Sequence, residues 1–116
     1  MEYIDGFIAA VPNDNKEKYI QHAKDATHVF KEYGANRIVE CWGDDVPDGS
    51  KTSLPTAVQC KETETVVFSW VEWPSKKVRD DAWAKLMKDD RMQSSTMPFD
   101  GSRLIYGGFQ AVVISQ

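Results

Sequence analysis

The sequence has little of several things. Its 116 residues hold only two cysteines, Cys41 and Cys60. Their separation fits no metal-binding spacing. A secreted domain this small usually carries several disulfides, and this chain allows one at most. No apolar run approaches the roughly 20 residues of a membrane-crossing helix. The opening MEYIDGF has neither the basic nor the apolar segment of a secretion signal. A cytoplasmic protein with free thiols is therefore expected. Positive charge is also short, with 14 Lys and Arg against 18 Asp and Glu and a net charge of −4. A general nucleic-acid surface needs clustered cations that displace counterions from phosphates. The nearest approach to one, SKKVR at residues 75–79, falls in the first turns of a helix. Neither nucleic acid nor membrane is expected as a partner.

What is present suits a soluble globular protein, with 41% hydrophobic and 28% charged residues. The length predicts a single domain over residues 1–116 with one continuous core. YIDGFIAAV, residues 3–11, reads as a strand that stops at a Pro-Asn-Asp-Asn break. A helix follows over residues 13–34, with Asp14 and Glu17 as a capping-box-like pair and Gly34 at the left-handed C-terminal position. Its apolar face is Tyr19, Ala23, Ala26, Phe30 and Tyr33, with His22 at the edge and His28 on the far side. ANRIVECWGDD forms a second strand that runs into the turn VPDGS. LPTAVQCKETE fits either a short helical turn or an irregular edge. TVVFSWVEWP is the clearest strand, and SKKVRDDAWAKLMKDD the second helix, capped by Ser75. After a loop over residues 91–102, RLIYGGFQAVVIS forms a long last strand.

This order predicts an α+β fold: a ferredoxin-like βαββαβ antiparallel sheet with two helices on one face. Such a sheet should alternate apolar and polar positions, and this one does not. Val66, Phe68 and Trp70 share one side of their strand, while Val67, Val71 and Trp73 share the other. In the last strand Ile105 and Phe109 point one way, and Leu104, Tyr106, Val112 and Ile114 the other. Two helices cover only one side. A bare face of Phe and Trp exceeds what monomers usually keep, so a homodimer packed through the sheet face is expected.

YIDGFIAAVP, GANRIVECWGDDVPDG, VVFSWVEWPSKKVRD and MPFDGSRLIYGGF closely resemble the YbaA-like bacterial family of unknown function, over nearly the whole chain. That family resembles in turn the dimeric α+β barrel group of ferredoxin-like proteins. The resemblance implies the same dimeric α+β barrel. The wider group includes cofactor-free monooxygenases, haem-degrading enzymes and isomerases, besides members of no known activity. The family brings no established catalytic residues, so none is carried over, and no cofactor is expected.

The acidic stretch at residues 38–50 invites a metal reading, with Glu40, Asp44, Asp45 and Asp48 as oxygen donors. The spacing matches no EF-hand loop, and the three Asp residues are expected as turn formers. Two histidines on opposite sides of one helix cannot share an ion, so no metal site is expected. Cys41 is expected as a small buried residue. Gly107 and Gly108 lack the following helix of a phosphate loop and predict a bulge or close backbone approach.

Polar residues inside apolar strands are better clues, namely Asp5, Arg37, Glu40, Ser69 and Glu72. A buried carboxylate needs a partner or a raised pKa, and either can serve acid/base chemistry. Arg79 lies on the apolar arc of its helix and is the cation to set against them. Asp5, His22, Glu40 and Arg79 are thus the candidate catalytic residues, with Trp42, Trp70, Trp83 and Arg37 as candidate pocket residues. Two functions follow. One is an enzyme or carrier holding a small, partly aromatic molecule between helices and sheet. The other is a noncatalytic dimeric module whose in-strand charges are structural ion pairs. A cavity of roughly 300 Å³ or more touching two of the four polar candidates would favour the first.

Overall fold

The computed structural model describes residues 2–93 and 96–116. Its strands are β1 (Tyr3–Pro12), β2 (Arg37–Trp42), β3 (Glu64–Trp73) and β4 (Ile105–Gln110). Its helices are α1 (Lys16–Glu32), α2 (Leu54–Ala57), α3 (Lys76–Leu86) and α4 (Asp90–Gln93). All strand pairings are antiparallel and the sheet order is β2-β3-β1-β4, so the fold is α+β.

Register sorts the side chains. Tyr3, Asp5, Phe7 and Ala9 of β1 lie opposite Trp73, Val71, Ser69 and Val67 of β3. Side chains alternate along a strand, so these form one face. Phe30 of α1 and Ala82 and Leu86 of α3 pack there with Tyr3, Val71 and Trp73, while Tyr19 packs with Ala9, Val11 and Val67. Trp73 and Val11 are fully buried. The opposite face carries Ile4, Ile8, Phe68, Trp70, Ile105 and Phe109. At one end Val58, just past α2, packs on Ala10 and Val66. Elsewhere the face stays open, with Phe68 44%, Ile105 42% and Phe109 60% exposed.

Local signals hold at most ends. Gly34 has a φ of +112° beyond the end of α1. Ser75 accepts a hydrogen bond from the Val78 backbone N–H at 3.2 Å and caps α3. Ser53 does the same for the Thr56 N–H of α2, which settles the ambiguous stretch in favour of a helical turn. The capping box does not form. A short 3-10 turn, Asn13–Asn15, intervenes, and Asn15 precedes α1 without a side-chain cap. The Asn15 amide instead donates to the Pro98 carbonyl at 2.9 Å.

The stretch predicted as a loop over residues 91–102 holds the end of α4 and the start of a 3-10 turn, Gly101–Arg103. Ser94 and Ser95 lie outside the described residues. Arg103 grips Glu64 with two hydrogen bonds of 2.7 Å, fastening β4's approach to the start of β3. The last strand is shorter than expected. Gln110 pairs with Tyr3, and β1 offers no strand residue beyond it, so the ladder runs out. Val112 and Val113 are left 82% and 85% exposed.

Candidate functional site

The register places Asp5 and Glu40 on the helix-covered face, but in different surroundings. Asp5 is buried, 2% exposed, in the middle of the sheet. The Arg79 guanidinium reaches it from α3, with Nη2 donating at 2.7 Å and Nε at 3.1 Å. The indole N–H groups of Trp73 and Trp83 donate to Oδ2 at 2.8 and 2.9 Å. Arg79 is held firmly protonated, its pKa raised chiefly by the hydrogen bonds to Asp5. A carboxylate enclosed by four donating groups has little capacity left for a substrate. A buried ion pair so saturated fixes a helix on a sheet.

Gly108 explains part of this geometry. It lies opposite Asp5 in the β1–β4 ladder. A Cβ there would stand 2.6 Å from Tyr3 Oη and 2.8 Å from Arg79 Nη2. Of the two glycines, Gly108 is therefore the close backbone approach, and it lets Arg79 run across β4 to the buried carboxylate.

Glu40 sits on β2, opposite Ser69 of β3. Its Oε1 accepts a short hydrogen bond from the Tyr19 hydroxyl on α1. Glu40 is exposed on its solvent side, while Tyr19 is buried. Crowding raises the Glu40 pKa, and hydrogen bonds from Tyr19 and Ser69 oppose that rise. Burial, and then the Glu40 charge, push the Tyr19 phenol far above its usual range. The Tyr19 proton is thus committed to the carboxylate.

Behind this pair, between helices and sheet, lies a cavity of about 260 Å³. Phe7, Phe30, Trp83 and Phe99 give it aromatic walls, and Tyr19, His22, Glu40 and Ser69 supply its polar atoms. Its size falls just below the range of about 300 Å³ and upward typical of ligand sites, and it touches two of the four polar candidates. Those four therefore divide. His22 and Glu40 line the cavity, whereas Asp5 and Arg79 form the ion pair beside it. His28 is exposed on the outer side of α1, as its spacing predicts.

The pocket candidates divide as well. Trp83 lines the cavity while also donating to Asp5. Trp42 lies outside it, packed on Tyr19 at 6.3 Å and under the Lys16 ammonium at 5.2 Å. Trp42, Tyr19 and Glu40 line a second hollow of about 280 Å³ between α1 and β2. Trp70 belongs to the open face, where its indole donates to Glu72 at 2.9 Å. Arg37 is exposed at the start of β2, opposite Glu72.

The expectation that Cys41 is buried fails. It pairs with Phe68 on the open side of an edge strand and is exposed. Cys60 is half-buried, and burial raises its thiol pKa. Among the described residues no three carboxylate, thiol or imidazole groups cluster to hold a metal. Lys76 and Lys77, from the basic cluster, pair with Asp80 and Asp81 one turn on, at 2.7 and 3.0 Å.

Sequence reasoning missed Tyr19, assigning it to the core by its spacing. The available signal was its hydroxyl, since a tyrosine that turns into a core needs a hydrogen-bond partner. Phe99 and Met97 also reach the cavity, from a loop that carries no periodic pattern.

An antiparallel four-stranded α+β sheet with a small, mostly apolar helix–sheet cavity is the class that fold and site define. Residues 2–101 match the family described as Protein of unknown function (DUF1428), and the chain belongs to that family. Among its relatives, the uncharacterised protein YbaA of Escherichia coli (strain K12) is 55% identical over 115 residues, covering 97% of this chain and 98% of the relative. The uncharacterised YbaA of Shigella flexneri is similar to the same extent, 55% over 115 residues, with the same coverage of both chains.

Proposed function

We propose that this protein binds a small, partly aromatic molecule in the cavity between its helices and sheet, and that it works as a cytoplasmic homodimer joined through the open sheet face. The cavity carries the first half of this reading. It combines aromatic walls with a few convergent polar groups, the usual composition of a ligand site. Its volume suits one or two fused rings rather than a large cofactor.

The open face supports the second half. Ile4, Ile8, Phe68, Trp70, Ile105 and Phe109 border a broad apolar hollow of about 700 Å³ on that side. At about 25 cal/mol per Å² of apolar area, covering such a surface yields many kcal/mol. A second copy presents the same patch about a two-fold axis and needs no other partner. The exposed Val112, Val113 and Ile114 lie in the segment just past β4 and extend the apolar surface available to such a copy. The strand order β2-β3-β1-β4 supports a ferredoxin-like arrangement, and with the open face it supports a dimeric α+β barrel. The free thiols of Cys41 and Cys60 suit a reducing compartment.

Thermal unfolding in the presence of a panel of one- and two-ring aromatics tests the cavity. A ligand that binds only the folded state raises the midpoint by mass action, by about 2.7 kcal/mol of stability at a hundred times its Kd. Some members should do so for the wild type. None should do so for Ala26→Phe, which fills the cavity from α1. Equal shifts in both proteins, or none in either, would overturn the reading.

A further inference from the structure

Hydrogen-bond accounting at the Tyr19–Glu40 pair specifies the ligand further. An ionised carboxylate accepts through two oxygens with about four lone-pair positions. Oε1 of Glu40 takes the Tyr19 proton and the Ser69 hydroxyl is a second donor beside the carboxylate, so about half of those positions stay open. With its own proton turned to Glu40, the Tyr19 oxygen is itself left as an acceptor. The paired groups therefore present acceptor positions and no spare proton toward a bound molecule.

Charge points the same way. Among the described residues Glu40 has no cationic partner within ion-pair distance; Lys24 borders the neighbouring hollow with it but not the helix–sheet cavity, and the Arg79 guanidinium is spent on Asp5. Arg103 is likewise held by Glu64 and Asp100. An anionic ligand would meet the Glu40 charge at close range, where like charges repel, although water reaching the exposed side of Glu40 screens part of that repulsion. Tyr19, Ala23 and Glu40 line both the helix–sheet cavity and the neighbouring hollow. The pair thus stands as the partition between the two, open to a ligand from either side.

We infer that the cavity selects a neutral aromatic molecule bearing a hydrogen-bond donor, such as a phenolic O–H or a ring N–H, whose donor bridges Glu40 Oε2 and the Tyr19 oxygen, and that it rejects aryl carboxylates. This rests on the reading that the cavity holds a ligand. His22 and Ser69 complete the polar rim, and the aromatic walls take the ring.

Three probes with one ring system separate the terms: naphthalene, 2-naphthol and 2-naphthoate, titrated calorimetrically against the intact protein. A hydrogen bond to a charged acceptor gives 2-naphthol an advantage of about tenfold or more over naphthalene, and 2-naphthoate should bind weakest. Glu40→Gln keeps the shape but not the charge. It should cut the 2-naphthol advantage about tenfold and bring 2-naphthoate up toward naphthalene. Tyr19→Phe frees Oε1 and should keep the preference for 2-naphthol, so a Glu40 variant that fails to fold still leaves a decisive measurement. Equal binding of naphthalene and 2-naphthol, or tightest binding of 2-naphthoate, overturns this inference and leaves the cavity reading standing. Failure of all three to bind overturns both.

Discussion

Asp5 and Arg79 stand 74 residues apart in sequence and 2.7 Å apart in the fold. The carboxylate is 4% exposed and the guanidinium 23%. Removing Arg79 strands a buried negative charge. Arg79→Ala should therefore cost about 3–5 kcal/mol of unfolding free energy, read from urea denaturation. Arg79→Lys should recover only part of that loss, because an ammonium cannot reproduce the forked contact. If Arg79→Ala unfolds like the wild type but loses ligand shifts, the pair belongs to the site and not to the scaffold.

Gly108 depends on the same pair. Gly108→Ala should destabilise by about 1–3 kcal/mol, as overpacking does in dense interiors. Part of that cost comes from crowding Arg79 Nη2. The double variant Gly108→Ala/Arg79→Ala should therefore lose less than the sum of the two single changes. Strict additivity would mean that Tyr3 alone resists the added methyl.

The acid limb of stability should be shaped by Glu64. Arg103 holds its carboxyl at about 2, against an ordinary value of 4.5. A depressed folded pKa stabilises above the unfolded value, and that contribution fades as pH falls from 4.5 toward 2. Glu40 works in the opposite sense. Its raised pKa means the fold takes up a proton before the unfolded chain does, so acidification relieves its burial. Glu64→Gln should consequently flatten the decline in unfolding free energy between pH 4.5 and 2, whereas Glu40→Gln should remove a gain in stability that builds up above that window, as pH falls toward 4.5. Denaturation series at several pH values read both slopes, and unchanged slopes would remove these two groups from the account.

Phe68→Asp and Phe109→Asp introduce charge on the open face, at an inner strand and at the β4 edge, and leave the helix-covered core untouched. Each should convert a dimer to a monomer at micromolar concentration in sedimentation equilibrium. A wild-type protein that already sediments as a single subunit would overturn the pairing through this face.

Much of the scaffold was legible in the sequence because two periodicities carried it. The run at residues 65–74 and the apolar arc of α1 each predicted one element, and the two-sided apolar character of β3 predicted an uncovered sheet face. Ser75 and Gly34 marked helix ends through local hydrogen bonding and backbone freedom. The rest depended on contacts distant in sequence. Asp14 has the right type and spacing for a cap, yet the chain leaving Pro12 makes a 3-10 turn first. The last strand stops where β1 runs out of pairing residues, a limit set by another element. The candidate site was half legible. Glu40 stood out as a charge within a strand. Its partner Tyr19 looked like ordinary core, since a phenol and a phenyl ring follow the same hydrophobic pattern until a neighbour is known.

The segment just beyond β4 has a colloidal consequence. Val112, Val113 and Ile114 are bare and β-branched, and they continue an edge strand whose outer rim is unpaired. Such a strand edge is a template onto which another extended chain can add. Left uncovered, or freed further by partial unfolding of the sheet, this edge would act as a nucleus for precipitation. Solubility would then fall first through this edge of the sheet, however sound the core remains.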